Sequence, residues 1–350
     1  MTFLENEWYA AAFSDEIGRT PLCRVLLDQP TVLYRKESGE AVALGDRCPH
    51  RFAPLHEGKL FGDTIRCPYH GLRFGPEGQC VDNPIGEGQL PRAAKVPAFH
   101  LHEVDGIVWL WRGDQQPDVS KIVRFEEFEQ PDRWTSVKML IPINGAYTLV
   151  ADNLLDLSHA EFLHPDLAEE GFARRAKLTV TQEGDTIIAR NWRPAEPMSN
   201  AQRISWGGAN PPSHIDRSTV VIWNAPANIR FEMSNMPVGG SEGGNRNIQA
   251  HLITPETATT CHYFHKMARD NFLDDEEISA KIKATSLKAF AGEDKPMIEA
   301  QQRYMGDQSF EALNPVLLPS DAAASRARRV LDAKLQAQAS ARPSPREAAA

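Results

Sequence analysis

The chain has 350 residues, with 38 Lys and Arg against 47 Asp and Glu and a net charge of −9. That length predicts two domains or one large α+β unit with room for a sizeable core, and an acidic balance without any basic run argues against nucleic acid as a partner. MTFLENEWYAAAF lacks a basic region and an apolar stretch of export-signal length, no 18 apolar residues run together, and five cysteines are too few for a disulfide scaffold; the expected setting is the cytoplasm, with reduced thiols and no membrane.

From Trp8 to Trp111, short β segments (VLLD, TVLYR, AVALGD, TIRCPYH, GIVWLWRG) alternate with Gly, Pro, Asp and Asn turn signals. They predict an all-β domain over residues 1–115, with no helix of ordinary length before residue 120. The stretch GDQQPD marks the boundary to an α+β domain over residues 116–320. There a polar–apolar segment at 144–164 precedes the alternating stretches KLTVTQ, TIIARNW, STVVIWN and IQAHLI. Ile278, Ile282, Leu287, Phe290 and Ile298 then recur at helical spacing, so a long amphipathic helix closes the domain. Residues 321–350, rich in Ala, Arg, Ser and Pro, read as a surface helix followed by a disordered SARPSPREAAA end.

Two loops carry matched metal-ligand residues. Cys48-Pro49-His50 and Cys67-Pro68-Tyr69-His70 are separated by sixteen residues, and each pairs one soft ligand with one imidazole beside a turn-forming residue. Tetrahedral zinc would accept four such ligands, yet zinc sites usually pair Cys with Cys and His with His. Mixed loops suit a [2Fe–2S] cluster in which two histidines replace two cysteines on one iron, the arrangement that raises the potential to roughly −150 to +300 mV.

A second set lies in ADNLLDLSHAEFLHP, where His159 and His164 stand five residues apart. Five residues turn a regular helix by about 140° beyond a full circle, so a break is needed to aim both rings at one ion, and Pro165 disfavours the α conformation at His164. Two imidazoles and a carboxylate make a face that leaves coordination positions open on Fe(II). Asp294 is the best carboxylate. At 100° per residue it falls within about 40° of the apolar stripe, whereas Glu293 is rotated away. Gly292 and Pro296 flank it and predict a distorted helix. The competing role for Asp294 is a cap or an ion pair with Lys295.

CPHRFAPL with CPYHGLRF, followed by N-x-x-D-x-x-H-x₄-H, resembles the Rieske-type non-haem iron oxygenases over both domains. The resemblance implies an α+β chain in which an N-terminal all-β Rieske domain precedes a helix-grip catalytic domain, an antiparallel sheet with a long C-terminal helix. It implies Cys48, His50, Cys67 and His70 as cluster ligands and His159, His164 and Asp294 as ligands of a mononuclear Fe(II), with O₂ as co-substrate. It further implies a homotrimer in which Asp156 bridges an iron-ligand histidine to His70 of the partner subunit, with Asn153 close by. No G-x-G-x-x-G follows a strand and no further cysteine set is present, so electrons from NAD(P)H must come through a separate flavin and iron–sulfur reductase.

NEWYAAAF, LLDLSHAEFLH, HLITPET and EDKPMIEAQQR narrow the resemblance to the vanillate and dicamba O-demethylase oxygenase components. The implied reaction is oxidation of an aryl methyl ether in an aromatic acid, with release of formaldehyde. Aryl methyl hydroxylation and N-demethylation are the alternatives within the family; an electron-transfer Rieske protein or a sensor with a structural metal are those outside it. For the pocket, Asn224 and His251 match positions that contact polar substrate groups in dicamba-type members, and Thr285 stands where those members place a large aromatic. An acid substrate calls for a cation, with Arg203, Arg217 and Arg230 as candidates. Trp206, Trp223 and Phe231 are candidate walls.

Overall fold

A computed structural model describes residues 3–341, except 86 and 207–209. Glu-Trp-Tyr-Ala-Ala-Ala-Phe forms β1 (Glu7–Phe13), buried at every position because both faces are covered. Then come β2 (Leu22–Leu26), β3 (Gln29–Arg35), β4 (Ala41–Gly45), β5 (Lys59–Phe61), β6 (Thr64–Arg66), β7 (Arg73–Phe74) and β8 (Cys80–Asp82). β9 (Ala98–Phe99), β10 (Leu101–Val104) and β11 (Ile107–Arg112) complete the first unit, which spans residues 5–122 and 254–258. Its sheets run β1–β11–β10, β2–β3–β4–β9 and β5–β6–β7–β8. Ser14–Glu16 and Val119–Lys121 form single 3₁₀ turns, the helical pieces of this unit among the described residues.

The second unit comprises residues 3–4, 123–253 and 259–341. β12 (Thr135–Ile143), β13 (Lys177–Glu183), β14 (Thr186–Pro197), β15 (His214–Asn224), β16 (Asn228–Pro237), β17 (Asn245–Pro255) and β18 (Cys261–Arg269) build one sheet in the order β12–β18–β17–β16–β15–β14–β13. Alternation is plain in β12, where Val137, Met139, Ile141 and Ile143 turn inward, and in β15.

The helices are α1 (Tyr147–Leu155), α2 (Ala160–Leu163), α3 (Phe172–Arg175), α4 (Asn200–Trp206), α5 (Glu276–Leu287), α6 (Lys295–Met305) and α7 (Ala322–Ala341). Asp275 caps α5 by accepting the Ile278 N–H (2.9 Å). A π-helical segment, Lys288–Asp294, joins α5 to α6, which is the distortion predicted from Gly292 and Pro296. α6 packs tightly on the β12–α1 connection: a Cβ added at Gly145 would meet Ile298 Cγ2 at 2.9 Å.

α7 is more than a surface helix. Ala323, Ala324, Ala327, Val330 and Leu331 join the core built around Ile141, Leu154, Trp223 and Ile298, because small residues at helical spacing let the helix lie close to the sheet. Of the end expected to be disordered, residues 340–350, Ser340 and Ala341 instead belong to α7, and residues 342–350 lie outside the described ones. No described helix is long and apolar enough to cross a membrane.

Candidate metal centres

The two cysteine loops are built alike. Cys48 N–H donates to Ala53 O (2.9 Å) and Cys67 N–H to Leu72 O (2.8 Å); four residues on, Phe52 N–H returns to Cys48 O (2.9 Å) and Gly71 N–H to Cys67 O (3.2 Å). The returning residue needs the left-handed conformation in both, with φ of 62° at Phe52 and 80° at Gly71. Gly71 must also remain small, since a Cβ there would lie 2.8 Å from Pro84 Cγ.

Both cysteines sit in the apolar core with Leu55, Ile65 and Phe74, while His50 is exposed and His70 half-buried, their rings 4.5 Å apart. Burial, followed by the neighbouring Cys67, pushes the Cys48 thiol up to about 11, so a cationic metal would be what holds its sulfur deprotonated. Ligands of one tetrahedral zinc would lie roughly 3.3–3.8 Å apart. Among the described residues no three of these four donors come within 4.8 Å of one another, so sulfurs inside and imidazoles outside suit a two-metal cluster.

Nearby, Asp46 Oδ1 accepts the His56 N–H (2.7 Å), its Oδ2 pairs with His56 Nδ1, and Cys23 completes the group. The contact ties the two ends of the first cysteine loop together. Of the cysteines outside the loops, Cys261 fills the second unit's core, whereas Cys23 and Cys80 are half-buried.

In the second unit α1 stops at Asp156, whose carboxylate accepts the Ser158 N–H (2.8 Å) and starts a 3₁₀ turn. That turn brings the His159 ring back onto the main chain. Its Nδ1 lies 2.6 Å from Asp156 O, an acceptor only, so Nδ1 carries the proton and Nε2 faces away with a free lone pair. The link from Asp156 to His159 thus runs through the main chain.

His164 ends α2 with φ −121° and ψ 79°, outside the α region that Pro165 disfavours. Its Nδ1 donates to Glu293 Oε2 (2.8 Å), and its Nε2 lies 3.1 Å from Asp294 Oδ1. His159 Nε2 is 3.5 Å from the same oxygen, and the Asn153 amide donates to it at 3.0 Å. Glu293 therefore turns toward His164 rather than away: the π segment winds more residues per turn than the regular helix assumed for the projection. Lys295 is no partner of Asp294; it donates to Pro142 O and pairs with Glu299 (3.1 Å).

Donors of His159, His164 and Asp294 all lie within 4.8 Å of one another, and burial leaves His164 3% and Asp294 3% exposed. Burial draws the His159 pKa below the usual imidazole range, favouring the neutral form a metal requires. Burial lowers His164 too, but the Asp294 and Glu293 carboxylates outweigh it and raise its pKa. Three oriented donors of mixed N/O type fit a divalent iron and leave part of its coordination open.

A cavity of about 160 Å³, its exposed wall surface mainly apolar, opens on His159 and His164, while Asp294 is not part of its lining. Asn153, His159, His164 and Thr285 line it, as do Phe231 and Phe290. Asn224 stands apart, at the end of β15 with its Oδ1 accepting the Thr186 hydroxyl (2.8 Å). His251 is also outside the lining: fully buried, it packs against Phe231 (ring centroids 4.2 Å apart) with its Nδ1 2.6 Å from the Tyr263 hydroxyl.

The arginines separate too. Arg217 lines the cavity, Arg230 is bound to Glu127 (2.7 Å) and Glu232 (2.8 Å), and Arg203 is not part of the lining. Of the three candidate wall residues only Phe231 lines the cavity; Trp223 belongs to the core, and Trp206 is not part of the lining. Sequence reasoning missed Glu293 and the lining polar residues Thr219, Asn235, Asn247 and Gln249; Thr219 had a signal in the alternation of β15, whereas β16 and β17 carry polar residues on both faces.

A donor set suited to passing electrons and another suited to using them beside a bound molecule, in one chain, is the arrangement of a Rieske non-haem iron oxygenase. The chain belongs to that family: residues 7–98 match the Rieske [2Fe-2S] domain and residues 143–337 the vanillate O-demethylase oxygenase C-terminal domain. It is 38% identical to the oxygenase component of chloroacetanilide N-alkylformylase from Rhizorhabdus wittichii, over 96% of this chain and 97% of that one. Identity to the oxygenase component of dicamba O-demethylase from Stenotrophomonas maltophilia is 34%, over 97% of this chain and 100% of that one. The crystal structure of dicamba monooxygenase bound to 3,6-dichlorosalicylic acid superposes with a TM-score of 0.90 at 34% identity, covering 98% of this chain and 100% of that chain.

Proposed function

We propose that the chain is the terminal oxygenase of a multicomponent cytoplasmic monooxygenase that O-demethylates a methoxylated, vanillate-like aromatic acid, using O₂ and electrons from NAD(P)H relayed by a separate flavin and iron–sulfur reductase. The observation that carries this reading is the convergence of donors from His159, His164 and Asp294 on one point, with both histidines lining a mainly apolar cavity. In it, Cys48, His50, Cys67 and His70 hold the [2Fe–2S] cluster, and His159, His164 and Asp294 hold Fe(II). The cluster, when bound, supplies electrons singly and the iron supplies oxygen activation.

The chain's residues do the positioning. Asp156 O and the Glu293 carboxylate each hold an Nδ1 proton, which aims both Nε2 lone pairs at one point. The Asn153 amide fixes Asp294 Oδ1 from one side. Leu157, Leu167 and Phe290 keep water from the cavity, and Thr285, small where a large aromatic would narrow it, leaves room for a ring substituent. His251 and Asn224 act from outside the cavity, His251 by supporting Phe231. Hydroxylation of the O–CH₃ carbon yields a hemiacetal that separates into a phenol and formaldehyde. The assembly in this reading is a homotrimer in which the Asp156 carboxylate reaches His70 of the partner subunit; exposure of the His50 ring on the first unit supports electron exit on the imidazole side.

The test measures oxygen uptake and formaldehyde release by iron-loaded protein with a surrogate reductase and NADH, across vanillate, veratrate, methoxybenzoates and methylated aryl acids. Formaldehyde equal to oxygen consumed, with a phenol product, is the expected result. A hydroxymethyl product without formaldehyde would reassign the reaction to aryl methyl hydroxylation. The relative that is an N-alkylformylase favours N-dealkylation as the second reading; an amine product from an N-alkyl aryl substrate would establish it.

A further inference from the structure

Along β15 the inward positions are Ile215, Arg217, Thr219, Val221 and Trp223. An arginine in that series needs something to answer its charge. Arg217 is 8% exposed and lines the cavity, and its Nε has no hydrogen-bond partner among the described residues. One Nη donates to Leu167 O (3.2 Å), and the guanidinium lies 5.1 Å from the Phe172 ring. Opposite it in register on β14 is Arg193, 1% exposed, 3.6 Å from the same ring and likewise with an unpartnered Nη1 among the described residues.

The carboxylate whose field reaches both, Glu196, is occupied on its two oxygens by Arg175 (2.8 and 3.0 Å). Glu161 and Glu169 also act on Arg175, whereas no carboxylate pairs directly with Arg193 or Arg217 among the described residues, so positive charge at this end of the cavity is left without a contacting anion. Burial draws Arg217 down to about 10 and Arg193 to about 9, as expected of cations short of counter-charge. Arg193 is not part of the cavity lining, so Arg217 is the one placed to meet a ligand.

We propose that Arg217 is the anchor for an oxyanion carried by the aromatic substrate, a carboxylate or a sulfonate, and sets a preference for aryl acids over neutral rings. The guanidinium fork offers two parallel N–H···O bonds to such a group, and the anion offsets the buried positive charge. With its anion on this wall, the ring occupies the apolar part of the cavity that His159 and His164 also line. The inference rests on the O-demethylase reading for the reaction, not for the binding.

Calorimetric titration of the iron- and cluster-loaded enzyme with 4-methoxybenzoate, 4-methoxybenzenesulfonate and neutral 4-methoxybenzamide tests it. Wild type is expected to bind at least one anion well above the amide. Arg217→Met should weaken that anion roughly ten- to a hundredfold and the amide far less, and Arg217→Lys should restore part of the preference, keeping the charge but not the fork. Loss confined to the carboxylate or to the sulfonate identifies which oxyanion the site takes. Equal wild-type affinity for the amide and both anions overturns the proposal, as does an anion preference that survives Arg217→Met. Should Arg217→Met fail to fold, as judged by its Rieske spectrum, the wild-type preference and Arg217→Lys decide. A preference lost in Arg217→Met without formaldehyde release by wild type sinks the demethylase reading alone; formaldehyde release with the preference intact sinks the anchor alone.

Discussion

Glu293 and Asp294 are neighbours in sequence and address the two nitrogens of one imidazole, Glu293 at Nδ1 (2.8 Å) and Asp294 at Nε2 (3.1 Å). Their substitutions should therefore differ in kind. Asp294→Asn removes a charged donor, and the expected outcome is loss of mononuclear iron and turnover with an unchanged Rieske spectrum. Glu293→Ala leaves all three donors but frees the His164 ring, and iron affinity should fall by about 10- to 100-fold, read by titrating Fe(II) into the stripped protein. The cysteines and histidines of the loops were legible because ligand chemistry demands those residue types at short spacing. Glu293 was not, because its direction depends on helical pitch, which single-residue patterns do not report.

Among the elements, the joint between α5 and α6 controls most. Seven residues, Lys288–Asp294, take the wider π winding, and Lys295 N–H reaches back to Phe290 O. Deleting Ala291, which is only partly buried, should let the joint relax into an ordinary α-helix and turn both carboxylates by about 100° relative to α5. The deletion variant is expected to keep its far-UV circular dichroism and to lose mononuclear iron; retained iron would show that the widened turn is not what aims Asp294. Strands with clean alternation, such as TIIARNW and STVVIWN, were readable in advance. β16 and β18 were not, since NIRFEMSNMP and CHYFHKMAR place polar groups on their cavity or core faces and so blur the period of two. The packing of α7 was missed for a related reason: alanines carry little hydrophobic signal, yet they permit the closest approach.

For the molecule as a whole, each donor set is supported inside its own unit, the loops by their matched main-chain bonds and the triad by Asp156, Glu293 and Asn153. Treatment with a chelator of Fe(II) should therefore remove the mononuclear ion and leave the melting temperature within a few degrees, with cluster absorbance intact. Collapse of the fold on chelation would mean that the triad is held by its ion. The pattern of the sequence changes near residue 115 and the first unit runs to residue 122, but the cavity had no such signal, because its wall is assembled from four strands, five α-helices, a 3₁₀ turn and the π segment, far apart in sequence.

Because protein acceptors already hold both Nδ1 protons, the triad is a socket formed before any ion arrives. Such a socket has no means of rejecting a rival by reshaping. Nitrogen and oxygen donors of this kind favour copper and zinc over iron on intrinsic affinity. Correct loading is then decided by which ions are available while the protein is being made, and recombinant material grown in zinc-rich medium should be inactive yet fully folded, recovering when the ion is exchanged.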